Sequence, residues 1–163
     1  MKVCVFGAGN MGARITEVFL TNGHEVTMLD VKQEFIDRGV KTITNDLSFL
    51  VKKEKMTEEK KNELLASLKT SLDRKAAADA DFIMEVILER MDLKKELLQE
   101  LDQICPAHTI FGSNTSALSI TEMAASVPNR ADKVIGCHFF NPAQIMKLVE
   151  VTRAIQTSDE TFQ

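Results

Sequence analysis

Apolar residues in this chain recur with two periods. Short apolar runs bounded by turn residues read as strands, and apolar positions three or four apart read as helices. Val3-Cys4-Val5-Phe6 is the first run, unbroken as in a parallel strand covered on both faces. Met11 to Leu20 predicts a helix with Met11, Ile15, Val18 and Phe19 on one face, stopped by Asn22-Gly23. Glu25 to Leu29 predicts a second strand that ends at Asp30. Residues 33–69 are charged and lack β-branched runs. Leu47, Leu50, Val51, Leu64, Leu65 and Leu68 lie at helical spacing there, and Thr57-Glu58-Glu59 marks a fresh helix start. This stretch predicts a hairpin of two helices.

Beyond it, Asp81 to Leu88 predicts a strand and Asp92 to Ile104 an amphipathic helix with Leu93, Leu97, Leu98, Leu101 and Ile104 inward. Thr109 to Gly112 predicts another strand. Ser119-x-x-Glu122 is a capping box for a short helix. Two further strands, Lys133 to Phe140 and Lys147 to Val151, are separated by a turn at Asn141-Pro142. Thr157-x-x-Glu160 has the form of a second capping box, with a polar tail as the alternative reading. Strand, glycine turn, helix, strand and acid within the first thirty residues make one βαβ unit. The chain therefore predicts an α/β fold, a Rossmann-like, doubly wound and mostly parallel sheet with an inserted helical hairpin, in one domain over 1–163.

Composition narrows the class without naming a function. At 163 residues the chain fits one domain of ordinary size, about 150 residues by the usual prior. Net charge is −4 with no long basic run, so nucleic acid is not an expected partner. The three cysteines are dispersed and lack a Cys-x-x-Cys, which fits buried thiols in a reducing cytoplasm. Met1 leads directly into a strand, leaving no room for a leader, and no apolar stretch approaches the ~20 residues of a membrane span. No His/Cys/Asp/Glu cluster has metal-ligand spacing.

Chemistry concentrates at the two ends. Gly7-x-Gly9-x-x-Gly12 follows a strand and opens a helix. In the Rossmann logic the first glycine allows the turn, the second lets backbone approach a pyrophosphate, and the third lets helix pack on strand. Asp30 would accept bonds from the adenine-ribose hydroxyls and repel a 2′-phosphate, which favours NAD over NADP. Near the other end, His138 stands at a strand end, where open α/β sheets bind ligands, and Glu150 stands on the next strand. A neutral imidazole can take the proton of an alcohol as hydride leaves, with a carboxylate fixing its tautomer. The residues alone leave open whether His138 is such a base or a satisfied core histidine. Ser116 likewise reads as a substrate hydroxyl donor or as a turn residue. Lys52, Lys53, Lys55, Lys60 and Lys61 read as a solvated face or a landing site for phosphates. His24 and His108 read as structural.

Taken together, Val5-Phe6-Gly7-Ala8-Gly9-Asn10-Met11-Gly12, Ser113-Asn114-Thr115-Ser116, His138-Phe139-Phe140-Asn141-Pro142 and Met146-Lys147-Leu148-Val149-Glu150-Val151 resemble the 3-hydroxyacyl-CoA dehydrogenases, closest to the bacterial 3-hydroxybutyryl-CoA dehydrogenases. The resemblance runs along essentially the whole chain. It implies His138 as general base, Glu150 as its partner and Ser116 as the group holding the substrate's 3-oxygen. It implies Gly7, Gly9, Asn10, Met11, Gly12, Asp30, Glu89, Lys94 and Asn114 at an NAD site. Asn141 and Lys53 would contact the acyl-CoA substrate. It also implies fatty acid and butyrate metabolism, and a longer protein in which an all-helical C-terminal domain completes the cleft and makes a homodimer. The competing expectation is an NAD-binding module without turnover of its own. The chain departs from the family pattern at Arg90 (usually Asn), Ala117 (often Ser), Gln144 (usually Pro) and Asp46 (often a CoA-contacting Ser).

Overall fold

Strand β1 (Lys2–Phe6) runs through the middle of a seven-stranded sheet, as an unbroken apolar strand must if both its faces are to be covered. A computed structural model describes residues 1–163. β1 pairs in parallel with β2 (Glu25–Leu29) on one side and with β4 (Phe82–Glu85) on the other. β3 (Lys69–Ser71) extends the sheet beyond β2, and β5 (Ile110–Ser113) and β6 (Val134–Phe139) extend it beyond β4. β7 (Val149–Arg153) closes the far edge antiparallel to β6. The order β3-β2-β1-β4-β5-β6-β7 reverses direction between β1 and β4. Open α/β sheets bind ligands outside the strand C-termini at that reversal.

Alternation along β1 builds two cores, since successive side chains point to opposite faces. Val3 and Val5 pack with residues of α1 (Asn10–Thr21), α2 (Gln33–Lys52) and α3 (Glu58–Ser67), including Ile15, Leu20, Ile43, Leu47 and Leu64. Cys4 and Phe6 pack with α4 (Met91–Ile104) and α5 (Ile120–Ala125) through Leu97, Leu98, Leu101 and Met123. The expected helical pair is α2 and α3, which forms the crossover from β2 to β3. Thr57 caps α3 by accepting from the Lys60 amide, and Ser119 caps α5 by accepting from the Glu122 amide.

Five details differ from the sequence pattern. β4 stops at Glu85 rather than Leu88, because its neighbours β1 and β5 end level with it and the Glu85 carboxylate turns the chain by accepting from the Ile87 amide at 2.8 Å. β3 is a short polar edge strand without apolar alternation, formed by backbone pairing with Thr27–Leu29. β7 begins two residues later than expected, where its register with β6 starts at Val149 opposite Phe139. The last helix, α6 (Asp159–Phe162), is capped by Ser158, while the Thr157 hydroxyl turns inward to the Val134 carbonyl at 2.7 Å. In α1 the buried face includes Gly12, Ala13, Thr16 and Glu17 beside Ile15, since this helix lies between the sheet and α2 and is covered on two sides.

Candidate active site

The C-terminal ends of β1, β4, β5 and β6 meet the N-terminus of α1. Gly7 takes φ +111, and a Cβ on it would lie 2.4 Å from the Val86 carbonyl oxygen. A Cβ on Gly12 would lie 1.8 Å from the Gly7 oxygen, so helix and loop touch through bare backbone. Gly9 differs: a Cβ there meets nothing within 4 Å, leaving the outer face of the loop open. Gly9 is the N-cap of α1 and no side chain caps that end. Its free N–H groups and positive dipole end suit an anion, with Asn10 and Met11 in the first turn. Asp30 holds the loop in shape. Its Oδ2 accepts from the Ala8 amide at 2.7 Å and its Oδ1 from the Val31 amide at 2.7 Å. This arrangement fits a dinucleotide: an open glycine face over a helix N-terminus, and an acid at the end of β2.

An open cleft of about 310 Å³ lies beside that loop, lined by Met11, Glu89, Asn114, Ser116, His138, Phe139, Phe140 and Asn141. His138 and Glu150 are direct partners across β6 and β7. The antiparallel register brings His138 Nδ1 to 2.9 Å from Glu150 Oε2. One ring nitrogen is thereby engaged, and Nε2 is left for chemistry. Phe140 packs on the ring at 4.7 Å between centroids. Asn114 joins the ends of three strands: its amide donates to the Glu85 carbonyl at 2.9 Å, and its Oδ1 accepts from the Phe139 amide at 2.8 Å. Ser116 is exposed at the turn after β5 and lines the same cleft.

Beneath this floor is a buried ionic network. Lys94 does not line the cleft: its side chain is 1% exposed, and its Nζ reaches Glu85 Oε1 at 2.6 Å and Glu89 Oε2 at 3.2 Å. Glu85 also accepts from the Ser113 hydroxyl, and Glu89 from the Thr115 hydroxyl. Partial burial pushes Glu89 upward. Thr115, Lys94 and the Ser116 amide outweigh that push and hold its carboxyl below the usual range. Lys94 therefore acts under the site, orienting Glu89 and the Ser113–Ser116 turn.

Other candidates lie elsewhere. Lys53 is the exposed residue closing α2, with its Nζ 5.5 Å from the Phe49 ring centroid, and it does not line the cleft. Lys60 and Lys61 pair with Glu63 and Glu58 on their own helix. His24 packs against Phe19, and His108 lies 3.1 Å from Asp81. No group of three or more His, Cys, Asp and Glu side chains converges as a metal site, and no helix is long and apolar enough to cross a membrane. Glu85, the first residue of a stretch Glu85 to Arg90 that matches a family motif, and Thr115 within Ser113–Ser116 carried no assigned role, because a residue at or just past a strand end gives no sign of which neighbour its side chain will bond. Arg130 carried none either. It is buried at 6% exposure, bonding Asp102 and the carbonyls of Cys105, Pro106 and Thr109.

Residues 2–163 match the family described as 3-hydroxyacyl-CoA dehydrogenase, NAD binding domain. The chain is 43% identical over 98% of its length to the Bacillus subtilis protein named "Probable 3-hydroxybutyryl-CoA dehydrogenase", covering 55% of that protein. It is 41% identical over 99% of its length to the 3-hydroxybutyryl-CoA dehydrogenase of Clostridioides difficile, covering 57% of it. The chain thus spans about half the length of these relatives. A crystal structure of 3-hydroxybutyryl-CoA dehydrogenase from Escherichia coli K12 superposes with a TM-score of 0.96 at 39% identity, covering 99% of this chain and 34% of that one.

Proposed function

The chain belongs to the 3-hydroxyacyl-CoA dehydrogenase family as its NAD-binding domain, and from that premise we propose that the protein containing it interconverts (S)-3-hydroxybutyryl-CoA and acetoacetyl-CoA. The observation that carries this reading is the His138–Glu150 contact of 2.9 Å at a cleft shared with Ser116 and the first turn of α1. NAD, when bound, supplies the acceptor for the hydride that leaves C3 of the substrate. In the oxidative direction His138 Nε2 takes the hydroxyl proton. Glu150 keeps Nδ1 protonated and stabilises the imidazolium as it forms. Ser116 donates to the 3-oxygen as it becomes a carbonyl. In the reductive direction the imidazolium returns the proton to that oxygen.

Asp30 selects NAD over NADP by its charge. Glu89 and Asn114 shape the nicotinamide side of the cleft. Asn141 lies on the acyl side, and Lys53 is assigned to the CoA moiety. We assign the remainder of the cleft to an all-helical C-terminal domain, which would also make the homodimer. A second reading is favoured by one observation: β7, which carries Glu150, is exposed along its whole length. In that reading the chain alone holds NAD without turnover.

Calorimetric titration with NAD and NADP tests the cofactor half. Acetoacetyl-CoA and NADH then test the chemistry by loss of nicotinamide absorbance. NAD is expected to bind more tightly than NADP. In whichever form turns over, His138→Gln is expected to lose about 10²–10⁴-fold in kcat while keeping NAD affinity. Near-wild-type turnover in that variant would overturn the assignment of His138.

A further inference from the structure

A polar cluster that the proposed chemistry does not use lies beside the cleft. Arg14 is one turn along α1 from Asn10, and its Nη1 donates to Asn10 Oδ1. Arg14 Nε lies 3.1 Å from Asp46 Oδ2 on α2. The same carboxylate oxygen accepts from Gln144 Nε2 at 2.9 Å, across 98 residues of sequence. Gln144 belongs to the segment that leaves β6 after His138. In that segment Asn141 lines the cleft, Ala143 is buried in the core on the α1 and α2 side, and the amides of Ile145 and Met146 both donate to the Pro142 carbonyl at 3.0 Å.

One carboxylate therefore joins the helix that opens the glycine loop to the wall of the cleft. An exposed ion pair would be worth little, but this one is set differently. The side chains of Arg14 and Asp46 are only 20% and 24% exposed. Arg14 Nε and Gln144 Oε1 are buried and have no hydrogen-bond partner. Removing Asp46 would take from Arg14 its ion-pair partner and from Gln144 Nε2 its acceptor, leaving the guanidinium only its bond to Asn10 and the amide without a partner in a half-buried setting.

We propose that Asp46 is a positioning residue that fixes the segment Asn141–Met146 against α1, so that occupancy of the glycine loop and the shape of the cleft wall beside His138 are coupled through Asn10, Arg14, Asp46 and Gln144. The positioning half stands on the free chain. The coupling half rests on the dinucleotide reading of the glycine loop.

Amide hydrogen exchange of this 163-residue chain separates the two halves. Asp46→Ala is expected to speed exchange at Ile145 and Met146 by about tenfold or more, with the amides of β1 and β4 unchanged. Gln144→Met, which cuts the bridge without touching either helix, is expected to do the same. Exchange at both residues within about twofold of wild type in either variant would overturn the positioning role, as would uniform acceleration of all amides, the mark of a general loss of stability. Saturating NAD is expected to slow exchange at Ile145 and Met146 in the wild type but not in Asp46→Ala or Arg14→Met. Equal slowing in all three would overturn the coupling. Failure of the wild type to bind NAD would overturn the dinucleotide reading and the coupling with it, while exchange in the free chain still decides the positioning role.

Discussion

Gly9 and Gly12 stand three residues apart and serve different physical ends. Gly12 is where α1 touches the glycine loop, and an added methyl would lie 1.8 Å from a backbone oxygen that cannot rotate away. Gly12→Ala is expected to cost about 2 kcal/mol or more of stability, read from the midpoint of denaturant unfolding. Gly9 has an ordinary extended backbone and open space around its Cα. Gly9→Ala is expected to unfold within about 0.5 kcal/mol of the wild type. It is nevertheless expected to weaken NAD by about tenfold or more, because the methyl stands where a phosphate would meet the helix N-terminus. A Gly9→Ala protein with unchanged NAD affinity would move the pyrophosphate away from this loop. The spacing of the glycines was legible in the sequence, and so was the placing of a Glu on the strand after the His. The burial of Lys94 was not, because its neighbours Glu85 and Glu89 are brought to it by the bend after β4, and charge alone reads as surface.

At the scale of elements, the chain's own signals worked where they were local. The caps at Thr57 and Ser119 bond as their sequence pattern implies, since a cap involves residues three apart. The end of α2 carries a local cost of the same kind. Glu54 adopts φ 55, a left-handed conformation that an L side chain resists and glycine accepts. Glu54→Gly is expected to raise stability by about 1 kcal/mol, seen as a higher thermal midpoint with the same spectrum. A lowered midpoint would mean that the exposed Glu54 side chain contributes more than its backbone costs. Strand ends behaved differently. β4 was expected to run to Leu88 and stops at Glu85, and β3 was not expected at all, because a strand exists only where another strand offers a ladder. The turn at Asn141-Pro142 announced two strands, yet their register, which sets Glu150 opposite His138, belongs to the pair.

At the scale of the whole molecule, Glu17 links stability to pH. Burial pushes its carboxyl from 4.5 up to about 7, with Asp46 adding to the rise and Arg14 opposing it. The folded state therefore holds a proton that the unfolded chain releases near its ordinary value. The contribution of Glu17 falls as pH rises between about 4.5 and 7 and is constant above. The gap corresponds to roughly 3 kcal/mol as an upper figure. Glu17→Gln is expected to match the wild type near pH 4.5 and to exceed it above pH 7, where denaturant midpoints of the two proteins should part. Parallel pH profiles would show that Glu17 is solvated in the folded state. The Asp79, Asp81, Asp92 and Glu89 carboxyls are shifted the other way, so they weaken the fold only at more acid pH and cancel in the comparison. The sequence by itself determined the α/β class, the βαβ opening, the glycine loop and the order of Ser116, His138 and Glu150, because each rests on periodicity, on turn chemistry or on motifs confined to a short stretch. Only the tertiary structure decided that β7 runs antiparallel, that Lys94 lies beneath the cleft, and that Arg14, Asp46 and Gln144 share one carboxylate. Those contacts are made only when strands pair, the chain bends after β4 and helices pack, and no local pattern encodes which groups will then come within bonding distance.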